Sequence, residues 1–399
     1  MKKILIWTVV NTCRMLVSTT FIFSGLVKLI DPYGTAYKLE DYAVALRATS
    51  LIVQPMPLVA SVILALAEFC FGVYLLFGIR RRLTTRAIVA MLLVFTPLTL
   101  WLAVTDAVAD CGCFGAALKL TNWQTFAKDA LLLAMAVLLC WTRRHQTRLI
   151  SVSAQWLISL YSIVFGTVLA MTCIAVEPVV DFRPFFVGQD IAKAMQWPED
   201  PNEQPEILDF TIDPIPELPT NEPVDIDYLL ADTGYVFLLI APHIEFASDG
   251  QMDVINALSD FASANGHRFI CLTASTVPQI NRWQALTGAE YDFAFTDELT
   301  LKTIVRSNPG LVILHHGVIV DKSSDLMMSN ILEKTADFSR HYGAEPKPTP
   351  HSETFLALLM AYVLPQALFT IIDRLVAALK WWWHRRKSKK DGKPHTCQP

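Results

Sequence analysis

Six long apolar stretches constrain this chain more than any other feature. They run at about Ile6–Ile30, Pro57–Ile79, Ala87–Thr105, Trp123–Thr142, Ile150–Val176 and Phe355–Leu379. A helix needs roughly 20 mostly apolar residues to cross the hydrocarbon core of a bilayer. Inside lipid, each backbone N–H and C=O must find its partner within the protein. The stretches therefore predict a polytopic α-helical membrane protein with six spans. Composition agrees, with 53% hydrophobic residues against about 45–50% in soluble domains. Lys2 and Lys3 ahead of the first run imitate a signal peptide. The run is too long and no small-residue cleavage site follows, which predicts an uncleaved helix.

Charge is distributed unevenly around these spans. Residues 177–350 carry 27 acidic and 10 basic side chains. Basic clusters fall at Lys2-Lys3, Arg80-Arg81-Arg82 with Arg86, Arg143-Arg144 with Arg148, and Arg385 to Lys393. Loops rich in Lys and Arg stay on the cytoplasmic side. Six spans starting from a cytoplasmic N-terminus put all four clusters inside, together with both termini. The same count puts residues 177–350 and the loop after the third span outside the bacterial cytoplasmic membrane. That compartment permits disulfides.

The chain divides into residues 1–145 with four spans, a fifth helix over 146–176, a Pro-rich acidic linker over 177–227, a domain over 228–345, a sixth helix over 352–380 and a basic tail over 381–399. Asp31-Pro32-Tyr33-Gly34 is a turn signal, and Tyr37 to Leu46 has the spacing of a short helix on the membrane surface. In the domain, strands are expected at Tyr235–Ile240, Arg268–Thr273, Tyr291–Phe295, Leu311–Leu314 and Val318–Asp321. Helices are expected at Met252–Ala264, Val277–Thr287, Leu299–Arg306 and Leu326–Tyr342. Strands alternating with helices and closing in a hairpin at His315-His316-Gly317 predict an α/β fold.

One close cysteine pair, Cys111-Gly112-Cys113, sits in the loop between the third and fourth spans. Such a pair holds a disulfide, passes electrons or binds a soft metal. Thiolates are the nucleophiles of exchange, and positive charge or a helix N-terminus favours them; Lys119 and the helix starting at Trp123 are near in sequence. A disulfide closing so small a ring would be strained, and strained, exposed disulfides are the labile ones. A static clip on the loop stays open as a reading. Metal binding is disfavoured, because no His is near and two ligands do not complete a tetrahedral site. Cys13, Cys70, Cys140 and Cys173 are single residues within the spans, and cysteine there behaves as a small hydrophobe. Cys271, in an expected strand, reads as core.

Glu68 lies near the middle of the second span. A charge there costs about 2.5–3.5 kcal/mol on insertion scales, so it usually faces a partner or a cavity. Arg14, Lys28 and Lys128 are its candidate partners. A structural ion pair, a proton-handling or quinone site, and a protonated Glu bonded to backbone all fit. His315-His316 reads as a solvated turn, since neighbours on a strand point to opposite faces. Trp381-Trp382-Trp383 before a basic flank reads as an interfacial belt. The sequence shows no phosphate loop, no Ser/His/Asp spacing and no nucleic-acid signature.

Arg14, Phe23-Ser24-Gly25, Lys28, Asp31-Pro32, Glu68, Gly72, Asp110-Cys111-Gly112-Cys113-Phe114-Gly115, Trp123 and Lys128, in that order, resemble the DoxX/MauE group of redox-associated bacterial membrane proteins over about residues 9–142. The resemblance implies a DoxX-like four-helix bundle and thiol–disulfide chemistry outside the membrane, in one branch during maturation of a disulfide-rich amine dehydrogenase. Residues 228–345 resemble a thioredoxin-like fold, with Asn308-Pro309-Gly310 as its cis-proline turn. That family places Cys-x-x-Cys after the first central strand. Here the segment reads Ala241-Pro242-His243-Ile244-Glu245-Phe246-Ala247. Ile244 and Ala247 stand where the cysteines belong, so Pro242, Ile244, Ala247 and Pro309 line a cleft without dithiol chemistry.

Two functions follow as expectations. In one, Cys111 and Cys113 exchange disulfides with an exported redox or client protein, and a quinone near Glu68 is the candidate cofactor. In the other, the protein is a membrane scaffold or assembly factor whose external domain binds an exported client without turnover. A transporter using Glu68 is disfavoured by the few other polar residues in the spans.

Overall fold

The computed structural model describes residues 2–53, 55–108, 111–118, 120–200, 204–208, 210–218, 220, 223–343 and 351–390. Asp110, Lys119 and the tail from 391 onwards lie outside the described residues. The chain forms two compact units, one from residues 1–170 and 355–399 and the other from residues 171–354.

In the first unit the helices are α1 (Lys2–Ile30), α2 (Pro32–Ala45), α3 (Met56–Phe77), α4 (Arg81–Thr105), α5 (Asn122–Trp141) and α6 (Gln155–Ala175), followed by a C-terminal helix (His351–Lys390). All but α2 are long and apolar enough to cross a membrane. The protein is a multi-pass membrane protein. Val10, Val17 and Phe21 of α1, Leu75 of α3, Ile88 and Leu92 of α4, and Leu132, Ala136 and Leu139 of α5 share one core. Lipid tails are as apolar as leucine, so close packing rather than the hydrophobic effect must join such helices. Gly25 and Gly72 permit it between α1 and α3. A Cβ on Gly25 would sit 2.7 Å from Phe69 Cα, and one on Gly72 would sit 2.7 Å from Ile22 N.

The fifth and sixth spans join through polar and aromatic contacts. Ser162 and Tyr362 hydroxyls are 2.7 Å apart, Gln366 Nε2 donates to Tyr362 at 3.2 Å, and Tyr161 stacks on Tyr362. Phe69 of α3 meets Tyr362 edge-on at 5.0 Å. The C-terminal helix runs past the expected Leu379 and exposes Trp381, Trp382 and Trp383.

The second unit contains α7 (Ile191–Ala194), β1 (Asp213–Pro214), α8 (Ile226–Leu230), β2 (Tyr235–Ile240), α9 (Met252–Ala264), β3 (Arg268–Thr273), α10 (Val277–Thr287), β4 (Asp292–Phe295), α11 (Glu298–Ile304), β5 (Gly310–His315), β6 (Val318–Ser324), α12 (Met328–Thr335) and α13 (Phe338–Tyr342). The sheet order is β1-β4-β3-β2-β5-β6. β2, β3 and β4 are parallel, and β5 and β6 return antiparallel. Strand side chains alternate between faces. Phe237, Leu239, Cys271, Leu311 and Ile313 pack with α9, α10 and α12; Val236, Leu238, Ile240, Val312 and Leu314 pack with α8 and α11 on the other side. The expected final helix over Leu326–Tyr342 is broken into α12 and α13.

The Pro-rich acidic segment over 177–227, which the sequence leaves open as an extended linker or an irregular entry segment, is irregular and packed. Phe185, Ile191, Ala194, Ile207, Phe210, Ile212 and Val224 are buried in the second core. Ile191 N–H donates to Gly317 O at 3.0 Å and Gly188 N–H to Ile319 O at 2.7 Å, and β1 pairs with β4. This segment covers a sheet face that would otherwise be bare, and its backbone uses donors and acceptors at the sheet edges. Its start is clamped by Arg183, whose guanidinium reaches Asp181 at 2.6 Å and Glu177 at 3.1 Å, and by Lys322, 2.7 Å from Asp181. Burial alone would raise the Asp181 carboxyl, but Arg183 and Lys322 outweigh it and hold it well below the usual range.

Candidate functional site

The α1–α3 crossing at Gly25 and Gly72 decides which cation meets Glu68. Lys28 Nζ lies 2.7 Å from Oε1 and 2.8 Å from Oε2, and both side chains are buried. Arg14 does not take part: it donates to the carbonyl of Thr147, in the loop joining α5 to α6. Lys128 pairs with its neighbour Asp129 at 3.2 Å and lies 4.5 Å above the Phe114 ring. Trp123 is exposed, with Phe126 as its aromatic neighbour, so it stays outside the cluster.

The cysteine loop closes over this buried pair. Ser24 Oγ is 2.7 Å from Glu68 Oε2 and 2.8 Å from the carbonyl oxygen of Cys113. Ser24 thus bridges the Glu68 carboxylate and the backbone of the cysteine loop. Tyr42 OH donates to the carbonyl oxygen of Cys111 at 2.5 Å. Phe114 packs on Phe23 with ring centroids 5.4 Å apart. Gly112 has φ +64, and a Cβ there would come 2.8 Å from Lys38 Cγ. Only glycine fits between these two cysteines.

The two sulfur atoms are 2.9 Å apart. The hydrogen bond from the Cys113 thiol brings the Cys111 thiol down from its ordinary value against the opposing effect of burial; Tyr42 adds support, while Asp129 and Lys128 act in opposite directions. Cys113 is pushed well up, because it gives that hydrogen bond and is buried. The pair is thus asymmetric, with Cys111 shifted down and Cys113 shifted up.

Both cysteines face a mostly apolar cavity of about 100 Å³. Its wall includes Phe21, Leu39, Leu92, Phe95 and Leu132, and its polar lining includes Ser24, Lys28, Lys38, Tyr42, Glu68, Lys128 and Asp129. Reasoning from sequence missed Lys38, Tyr42 and Asp129. Asp129 offered a signal, a second charge within an apolar span. Lys38 and Tyr42 sit on α2, whose amphipathic pattern pointed to a membrane surface and gave no sign that it lines a cavity.

Residues 2–142 match the family described as methylamine utilisation protein MauE. No curated protein matches the chain, and no solved structure does. The MauE match spans α1 to α5 and so contains every residue of the cavity.

In the second unit, the loop after β2, which holds Pro242, Ile244 and Ala247, is bonded to the turn that holds Pro309. The Asn308–Pro309 bond is cis. Asn308 Nδ2 donates to His243 O at 2.8 Å, and Ser248 N–H donates to Asn308 O at 2.9 Å. Ile244 is buried, and its N–H donates to Ser275 Oγ at 2.9 Å. Beside it, His243 Nε2 is 3.0 Å from Glu298, and Phe246 is 78% exposed. Cys271 is fully buried in β3. Among the described residues no His/Cys/Asp/Glu group could hold a metal ion.

Proposed function

We propose that the protein exchanges disulfides with an exported protein through Cys111 and Cys113, on the outer side of the bacterial cytoplasmic membrane. The carrying observation is the asymmetric thiol pair, 2.9 Å apart, facing an apolar cavity that also holds Lys28, Glu68 and Lys128. The Cys111 thiolate attacks one sulfur of a partner disulfide. A mixed disulfide forms and one partner thiolate leaves, taking up a proton. Cys113 then loses its proton and attacks the Cys111 sulfur, which closes the Cys111–Cys113 disulfide and releases the partner as a dithiol. The reverse sequence oxidises the partner. The hydrogen bond from the Cys113 thiol stabilises the thiolate form, and Tyr42 and Ser24 fix the loop by its carbonyls.

A quinone is the cofactor we propose for the same cavity; the apolar walls would take the faces of its ring, and Lys28 and Lys128 would face its carbonyl oxygens. A bound quinone would accept the two electrons and two protons given up when the dithiol closes to a disulfide. The placement of the loop outside rests on the basic residues that cluster at the other ends of the spans.

The second unit is read as a thioredoxin-like domain. The order β3-β2-β5-β6, with β2 and β3 parallel and the last two strands antiparallel, supports this, as does Pro309 directly before β5. With Ile244 and Ala247 in place of thiols, the domain binds a client and performs no exchange. Exposed Phe246 on that loop favours such a docking role, and it is also what a pure scaffold would present. Tethering a client in this way raises its effective concentration at the cysteines, to roughly the millimolar range for short linkers.

The full-length protein in detergent, given dithiothreitol and a short-chain quinone, tests this reading by quinone absorbance. Cys111→Ala and Cys113→Ala should each drop to the protein-free rate. Wild-type turnover in the double variant would refute it.

A further inference from the structure

We infer that a cleft at the other end of the helical unit binds the phosphate of an anionic phospholipid headgroup. Arg80, Arg81 and Arg82, at the start of α4, converge with Arg143, Arg144 and Arg148, after α5, around one open cavity of about 450 Å³. Arg81 Nη1 donates to the carbonyls of Arg143 at 3.2 Å and Gln146 at 2.5 Å, which joins the two loops into one wall. Among the described residues, none of the six arginines has a carboxylate within ion-pair distance. Six guanidinium groups held together without a counter-charge repel one another, and an anion between them removes that cost. Guanidinium is also the side chain whose donor fork matches phosphate oxygens two at a time.

Apolar neighbours favour a lipid source over free phosphate. Leu83 lines the same cleft and is 61% exposed, and Trp141, two residues before Arg143, is 82% exposed. Tryptophan at a helix end marks the headgroup level of a membrane. A phosphate in the cleft would carry its acyl chains along these side chains, whereas a soluble anion gains nothing from them. Basic pockets between helices at this depth suit lipids with phosphate-bearing headgroups, and a headgroup with two phosphates should bind more tightly than one with a single phosphate. This inference does not depend on the cysteine chemistry.

The test uses the full-length protein in neutral detergent, titrated separately with short-chain phosphatidylglycerol, short-chain diphosphatidylglycerol, short-chain phosphatidylcholine and inorganic pyrophosphate. Lipid binding is read by native mass spectrometry and by the shift in unfolding temperature. The two anionic lipids should bind and raise the unfolding temperature, and phosphatidylcholine should not. At about fivefold per arginine, the variant Arg80→Gln/Arg144→Gln/Arg148→Gln should lose about a hundredfold in affinity for diphosphatidylglycerol. These three side chains are exposed, so the variant keeps the Arg81 contacts that join the loops. Arg86→Gln removes the same charge from outside the cleft and should leave binding within about twofold. Equal binding of phosphatidylcholine, unchanged binding in the triple variant, or an equal loss in Arg86→Gln would overturn the site. Pyrophosphate binding as tight as the lipids would overturn the lipid assignment.

Discussion

At the end of α4 nearest Cys111 and Cys113, the buried Lys28 has Glu68 as its partner, and the half-buried Lys128 has Asp129 and the Phe114 ring. At the other end, where α4 begins, six arginines line a cleft, and among the described residues no carboxylate is paired with them. The contrast follows from solvent. A charge inside the helical core has no water to fall back on and needs a polar partner, a carboxylate for Lys28 and a carbonyl for Arg14. A guanidinium at the headgroup level is hydrated and can wait for an anion from outside. One end of the unit is closed on itself and suited to chemistry, and the other is open and suited to attachment.

The sharpest way to break this contrast is to exchange the effects of its two ends. Cys111→Ala should abolish exchange in a dithiol–quinone assay, while the triple arginine variant should keep its turnover within about twofold. A large loss in the arginine variant would mean that the ends are coupled. Next in size is the Lys28–Glu68 pair. Glu68→Ala leaves a buried lysine uncompensated and should cost about 3–5 kcal/mol of stability. Replacing both as Lys28→Met/Glu68→Leu should cost much less in thermal unfolding, and equal losses would show that packing rather than pairing dominates. Gly25→Leu should destabilise by roughly 1–3 kcal/mol or more, because the added side chain meets the α3 backbone.

Smaller effects concern protons. Alkylation of Cys111 followed against pH should show a midpoint below the ordinary thiol value of about 8.5. Cys113→Ala removes the supporting hydrogen bond, so the midpoint should rise and the rate at pH 7 should fall. An unchanged midpoint would remove the asymmetry from the account. In the second unit, the depressed Asp181 carboxyl contributes stability that is present above the unfolded value near 4 and is lost as pH falls through the lower folded value. Asp181→Asn should therefore flatten the acid limb of its unfolding profile, measured by the near-ultraviolet signal.

Much of this architecture was legible in the sequence. The spans were visible because hydropathy and length are one-dimensional properties, and β2, β3, α9 and α10 fell at their expected residues because their apolar periods are clean. The choice of Lys28 over Arg14 as the partner of Glu68 was not legible, since it depends on where Gly25 and Gly72 let two helices cross. Tyr42 and Lys38 were hidden for a similar reason: the pattern of α2 does not say what lies above it. Phe185, Phe210 and Ile212 escaped notice because prolines and acids surround them and they follow no period. They find their places only against a sheet formed by later residues.

The central claim is tested most directly by the thiol state of Cys111 and Cys113 in intact cells, in a background lacking the other six cysteines. Acid trapping followed by a thiol-reactive mass tag, before and after reduction, reads that state. The account predicts a partly oxidised pair that shifts toward the dithiol or the disulfide when respiration is blocked. A pair fixed in one state under both conditions would contradict it and leave the cysteines as a clip on the loop.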